Sequence, residues 1–183
     1  MVFEYILKKN GLDPKKDLVI DQSIDFGSTA AAFSGGQGEY TVEFEPHATA
    51  LEEKGDGYVL ASLGEESGYV PYTSFSARKS YMDENPQVIQ SFTAALQKGM
   101  DYVNSRTSEE IAAKIAPQFK EMGEGTLATI IERYKNQDTW KTDLVFTKEA
   151  FDLLQDILMD AGELEEPVEY EKLVDTGFAE KVK

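Results

Sequence analysis

The chain has 183 residues, with 34 acidic against 18 basic side chains and a formal net charge of −16. A surface of that sign repels phosphate backbones and anionic lipid, which argues against nucleic-acid binding. The sequence has no cysteine and a single histidine, His47, so disulfides, thiolate catalysis, cysteine metal sites and multi-histidine zinc sites are excluded, and no cofactor or metal is expected.

In chain order, residues 2–10 place Phe3, Ile6 and Leu7 on one helical face, and Gly11 follows as a stop. The Asp13-Pro14 turn leads into Asp17-Leu18-Val19-Ile20, a short run of strand type. Ser28 offers an N-cap to a compact helix over Thr29–Phe33, ended by Gly35-Gly36. Tyr40-Thr41-Val42-Glu43-Phe44 alternates as a strand does. Pro46 suits the start of a helix running to about Lys54, where Gly55 stops it, and Tyr58-Val59-Leu60-Ala61 reads as a third strand. This alternation predicts an α/β fold, a small and mainly parallel sheet with flanking helices over residues 1–62.

An extended segment over Val70–Ala77 leads to a change of grammar near residue 83. Asn85-Pro86 opens a helix carrying Val88, Ile89, Phe92, Leu96 and Val103 along one stripe. Thr107 and Glu110 make a capping box ahead of Ile111 and Ile115. A third helix carries Leu127, Ile130, Ile131 and Tyr134. A fourth, behind Thr147, places Phe151, Leu154, Ile157 and Leu158 inward until Gly162. The C-terminal region is therefore expected to be helical. No apolar run approaches the roughly 20 residues of a membrane span. The opening Met1-Val2-Phe3-Glu4-Tyr5 has neither the basic nor the long apolar part of an export signal.

Ligands of open α/β sheets settle beyond the carboxyl ends of strands, beside helix N-termini. Two loops qualify. In Asp25-Phe26-Gly27-Ser28-Thr29, Gly27 lets the backbone approach a ligand, and the amides and hydroxyls of Ser28 and Thr29 could hold a polar group; the plainer reading is a helix cap. In Phe44-Glu45-Pro46, Phe44 could stack on a ring and Glu45 could accept from an amine; the plainer reading is an acid favouring the helix dipole. Tyr69, Tyr72, Thr73 and Ser74 could line a pocket or pack as an ordinary strand. Gly35-Gly36-Gln37-Gly38 lacks a P-loop lysine and reads as a turn. His47 has no nucleophile near it in sequence, and Trp140 reads as a packing anchor.

The run Glu4-Tyr5-Ile6-Leu7-Lys8-Lys9-Asn10-Gly11-Leu12-Asp13-Pro14 resembles the helix that opens the second lobe of nitrate/sulfonate/taurine-type ABC solute-binding proteins, a group that includes thiamine-precursor binders. Ala32–Tyr40 is similar to that family's small-residue helix, glycine turn and strand. Phe44-Glu45-Pro46 resembles its aromatic–acid–proline step, and Ser80–Pro86 the return toward the first lobe. The resemblance implies a type 2 periplasmic-binding-protein-like fold, with residues 1–75 as an α/β lobe two and residues 76–183 as a return segment and helices that pack on lobe one. It also implies a shortened piece of a two-lobed, extracytoplasmic or lipid-anchored receptor that passes a small solute to an ABC permease and is not an enzyme. The alternatives are a thiamine-pyrimidine synthase-like enzyme and the effector domain of a transcription regulator. The first lacks the histidines its chemistry needs and the second a helix-turn-helix. Helices left without lobe one would hide their stripes within the chain or in a homodimer.

Overall fold

Where the sequence repeats with helical periodicity, the computed structural model, which describes residues 1–183, is helical. The elements are α1 (Val2–Lys9), a 3-10 turn at Phe26–Ser28, α2 (Thr29–Ser34), α3 (His47–Lys54), α4 (Leu63–Ser67), α5 (Lys79–Glu84) and α6 (Pro86–Ser105). They continue with α7 (Ser108–Ile115), a second 3-10 turn, α8 (Glu124–Asn136), α9 (Lys148–Asp160), α10 (Tyr170–Leu173) and α11 (Gly177–Glu180). The local signals explain the bounds. Pro86 opens α6, and the Thr107/Glu110 capping box starts α7 with both of its hydrogen bonds made. The Thr147 hydroxyl accepts from the Ala150 amide at the head of α9. Gly55 sits at φ 76° beyond α3, a left-handed position that costs glycine little.

The expected α/β sheet is not formed, and the fold-class expectation is corrected: the structure contains helices and turns but no strand. Residues 17–20, 40–44 and 58–61 run without regular secondary structure. Every backbone hydrogen bond outside the helices joins residues close in sequence, so no two of these segments form a ladder. The physical reason is that alternation and β-branched or aromatic content describe a residue's fitness for a pleated surface, not the presence of a neighbour to pair with. Without that neighbour the side chains stay in water: Val19 is 96% exposed and Tyr58 84%. The short helices α4, α5, α10 and α11 were not indicated by the periodicity either, being too brief to show one.

The core lies among the later helices. Ile111 and Ala112 of α7 interlock with Leu127 and Ile131 of α8, and Tyr102, Val103, Met122 and Trp140 close around them. Phe151 and Ile157 of α9 are hidden within the chain, while Phe92 of α6 remains half exposed against Phe75. The accessible surface is 12961 Å² for 20.4 kDa, whereas a compact monomer of that mass exposes about 8,800 Å². Exposed large apolar side chains, among them Val19, Tyr40, Tyr58 and Leu60, crowd the unpaired segments before residue 78.

Candidate functional site

Three segments far apart in sequence bring their aromatic rings together. Phe26, on the first 3-10 turn, meets Phe44 edge-on with ring centres 5.2 Å apart, and Phe44 meets Tyr72 at 5.4 Å. All three stay substantially exposed. A surface of this kind offers faces and edges to a planar solute, since aromatic pairs favour edge-to-face and offset contacts at these separations.

The other residues of the two loops have more local roles. The Ser28 amide donates to the Asp25 carbonyl at 2.7 Å, and the Thr29 hydroxyl donates to the Phe26 carbonyl at 2.9 Å, so both brace the turn that carries Phe26. Neither Asp25 nor Ser28 caps a helix with its side chain. No protein atom lies within 4 Å of where a Cβ on Gly27 would sit. Tyr69 stands apart from the aromatic trio. Its hydroxyl donates to the Asp138 carboxylate at 2.6 Å, an interaction that holds the phenol above its ordinary pKa. Thr73 and Ser74 are exposed beside Tyr72.

Glu45 is engaged by Thr49 and Arg133. It precedes α3, accepts the Thr49 amide at 3.0 Å and the Thr49 hydroxyl at 3.0 Å, and forms an ion pair with Arg133 of α8. Its side chain is only 6% exposed. Arg133 also pairs with Glu52, and its guanidinium donates to the Thr49 hydroxyl at 3.1 Å. Burial disfavours the Arg133 charge, but the two carboxylates outweigh it and leave the group more basic than usual. Glu52 is held below the ordinary glutamate range, first by the Val59 amide that donates to it at 2.9 Å and then by Arg133. Beside this cluster, burial raises the pKa of Tyr134, which meets Trp140 edge-on at 5.7 Å. Arg133 also lines a surface groove of ≈ 410 Å³ with Val59, Leu60, Ser62, Glu65 and Gln137.

Sequence reasoning missed Thr49, Glu52 and Arg133. The first two had a signal: positions 45, 49 and 52 fall on one face at helical spacing. Arg133 had none, because its partners lie more than eighty residues away. No group of three or more His, Cys, Asp or Glu side chains is arranged to hold a metal ion, and no helix is long and apolar enough to cross a membrane.

Comparison with known proteins extends the geometry. A curated relative from Bacillus subtilis (strain 168), named "Putative binding protein YtlA", is 41% identical over 182 residues, which cover 100% of this chain and 54% of the relative. The chain thus spans about half the length of the relative it matches. No solved structure matches. Residues 1–117 match the NMT1-like family. The chain belongs to the NMT1-like family.

Proposed function

We propose that the chain is part of the solute-binding component of an ABC importer, working outside the cytoplasm and delivering a small organic solute to a permease. Residues 1–75 would be its second lobe and residues 76–183 the return and the helices that pack toward a first lobe. The observation that carries this reading is the meeting of Phe26, Phe44 and Tyr72 on one exposed surface. Asp25, Gly27, Ser28 and Thr29 flank Phe26 on its turn, Thr73 follows Tyr72, and Glu45 ties the Phe44 loop to Thr49 and Arg133, while Tyr69, held by Asp138, stands outside the surface. Within the sulfonate, taurine and thiamine-precursor range, the surface favours a heteroaromatic ring, because it offers stacking faces and no basic side chain in either loop.

Calorimetric titration with taurine and with 4-amino-5-hydroxymethyl-2-methylpyrimidine tests this. The pyrimidine should bind and taurine should not. Phe44→Ala should weaken the pyrimidine about two- to tenfold, the value of one aromatic contact. Silence from both solutes at millimolar concentration, or binding indifferent to Phe44→Ala, would overturn the reading.

A further inference from the structure

We infer that Arg133 tunes the charge preference of the aromatic surface: by holding Glu45 it takes the carboxylate beside Phe44 out of reach, so an amine carried on a ring stacked at Phe44 gains nothing from it. The inference rests on the proposed binding role of Phe26, Phe44 and Tyr72, and it goes further by assigning selectivity to a helix outside the residues that match the family. Glu45 follows Phe44 directly, so a free carboxylate there would be the nearest strong acceptor for an amine carried on a stacked ring. The structure shows it engaged instead. The Thr49 amide and hydroxyl and the Arg133 guanidinium take up its lone pairs, and little of the side chain remains in contact with water.

Arg133 suits this task by its shape. The planar guanidinium spans two carboxylates at once, Glu45 through one terminal nitrogen and Glu52 through the other. Glu52 in turn accepts the Val59 amide, which fixes it on the far side. A lysine could satisfy one acid but not hold both in the same geometry. Arg133 is therefore a positioning residue. It reaches the solute through Glu45, and it ties the loop that carries Phe44 to α8, the helix at the centre of the core.

The test uses two probes of matched size, benzyl alcohol and benzylamine, titrated into the whole chain and followed by protein-observed NMR. The ratio of the two affinities in the wild type, with Asp25 exposed beside Phe26, is the reference. Glu45→Gln should leave their ratio unchanged, because the charge it removes is already neutralised. Arg133→Met should shift the ratio about tenfold toward benzylamine, the effect of one charged hydrogen bond. The Arg133→Met/Glu45→Gln double variant should return it to the wild-type value. Emission from the single tryptophan, Trp140, reports whether α8 stays packed. Should Arg133→Met fail to fold, Glu45→Gln alone decides: selective loss of benzylamine would show that Glu45 faces the solute and would overturn the inference. If neither probe binds and Phe44→Ala changes nothing, the binding surface itself is misassigned and the inference falls with it. If both bind through Phe44 yet no variant alters the ratio, the surface stands and the role of Arg133 does not.

Discussion

Residues 1–78 and residues 86–160 are built from equally apolar sequence, yet only the second stretch makes a core. The difference is one of self-sufficiency. A helix satisfies its backbone internally and needs a partner only for its stripe, which α7 and α8 find in each other and in α6, while α9 packs on α1 and α10. A strand satisfies nothing until another strand lies beside it. Leu18, Val19, Ile20, Tyr58 and Leu60 are strand material without such a neighbour, and Val19, Tyr58 and Leu60 accordingly stay in water. The aromatic trio falls in the poorly packed half, while the arginine that steadies it comes from the well-packed one.

The strongest way to break this comparison is to remove one side chain from each half. Ile111, 3% exposed at the α7–α8 contact, should cost about 2–5 kcal/mol when changed to Ala. Val19→Ala should stay within about 0.5 kcal/mol, as for any solvated position. Urea unfolding followed by helical circular dichroism gives both values. A loss at Val19 approaching that at Ile111 would mean that the 17–20 segment is packed and that the contrast between the halves is false.

Helix starts sharpen the same contrast with a smaller effect. At the head of α7 the Thr107 hydroxyl accepts from the Glu110 amide, and the Glu110 carboxylate accepts from the Thr107 amide. Thr107→Ala should therefore lower stability by about 1 kcal/mol. Ser28, in the corresponding place before α2, makes no side-chain cap bond, so Ser28→Ala should leave thermal unfolding where it was. A loss from Ser28→Ala equal to that from Thr107→Ala would show a cap on α2 and erase the distinction.

These positions also show what the sequence could disclose. The stripe Val88, Phe92, Leu96 and the Asn85-Pro86 start located α6 closely, because helix signals are local. The capping box, the glycine stops and the packing role of Trp140 were readable for the same reason. The sheet was misread because pairing is a tertiary event that alternation cannot supply. For the site, Phe26, Phe44 and Tyr72 were each picked out, yet only the structure could show that they meet and that Tyr69 turns away to Asp138. Glu45 carried both a solute role and a helix-dipole role in the sequence. Its contact with the Thr49 amide is the second, and the ion pair with Arg133 was invisible because charge complementarity across so long a loop leaves no spacing to read.

Acid should expose two remaining carboxylate ties, Glu52 to Arg133 between the halves and Asp143 to Lys183 within the C-terminal part, by the smallest effect of the set. Glu52 is held below the ordinary glutamate range by the Val59 amide and then by Arg133, and Asp143 below the aspartate range by the Val145 amide and then by Lys183. A carboxylate whose pKa is depressed on folding binds fewer protons in the folded chain than in the unfolded one. Its contribution is therefore present in full above the unfolded pKa and lost as pH falls through the folded value. Both groups are partly solvated, which keeps the contributions modest. Melting temperature should thus decline from about pH 4 downward, and Glu52→Gln should make that decline shallower while lowering the plateau at neutral pH. Asp143→Asn should act likewise without disturbing the junction between α3 and α8. Loss of the near-ultraviolet signal of Trp140 in acid, tracked in wild type and in Glu52→Gln, separates the two. If the wild type and Glu52→Gln decline in parallel, the Glu52–Arg133 pair contributes nothing to stability, and the loop carrying Phe44 is held by Glu45 alone.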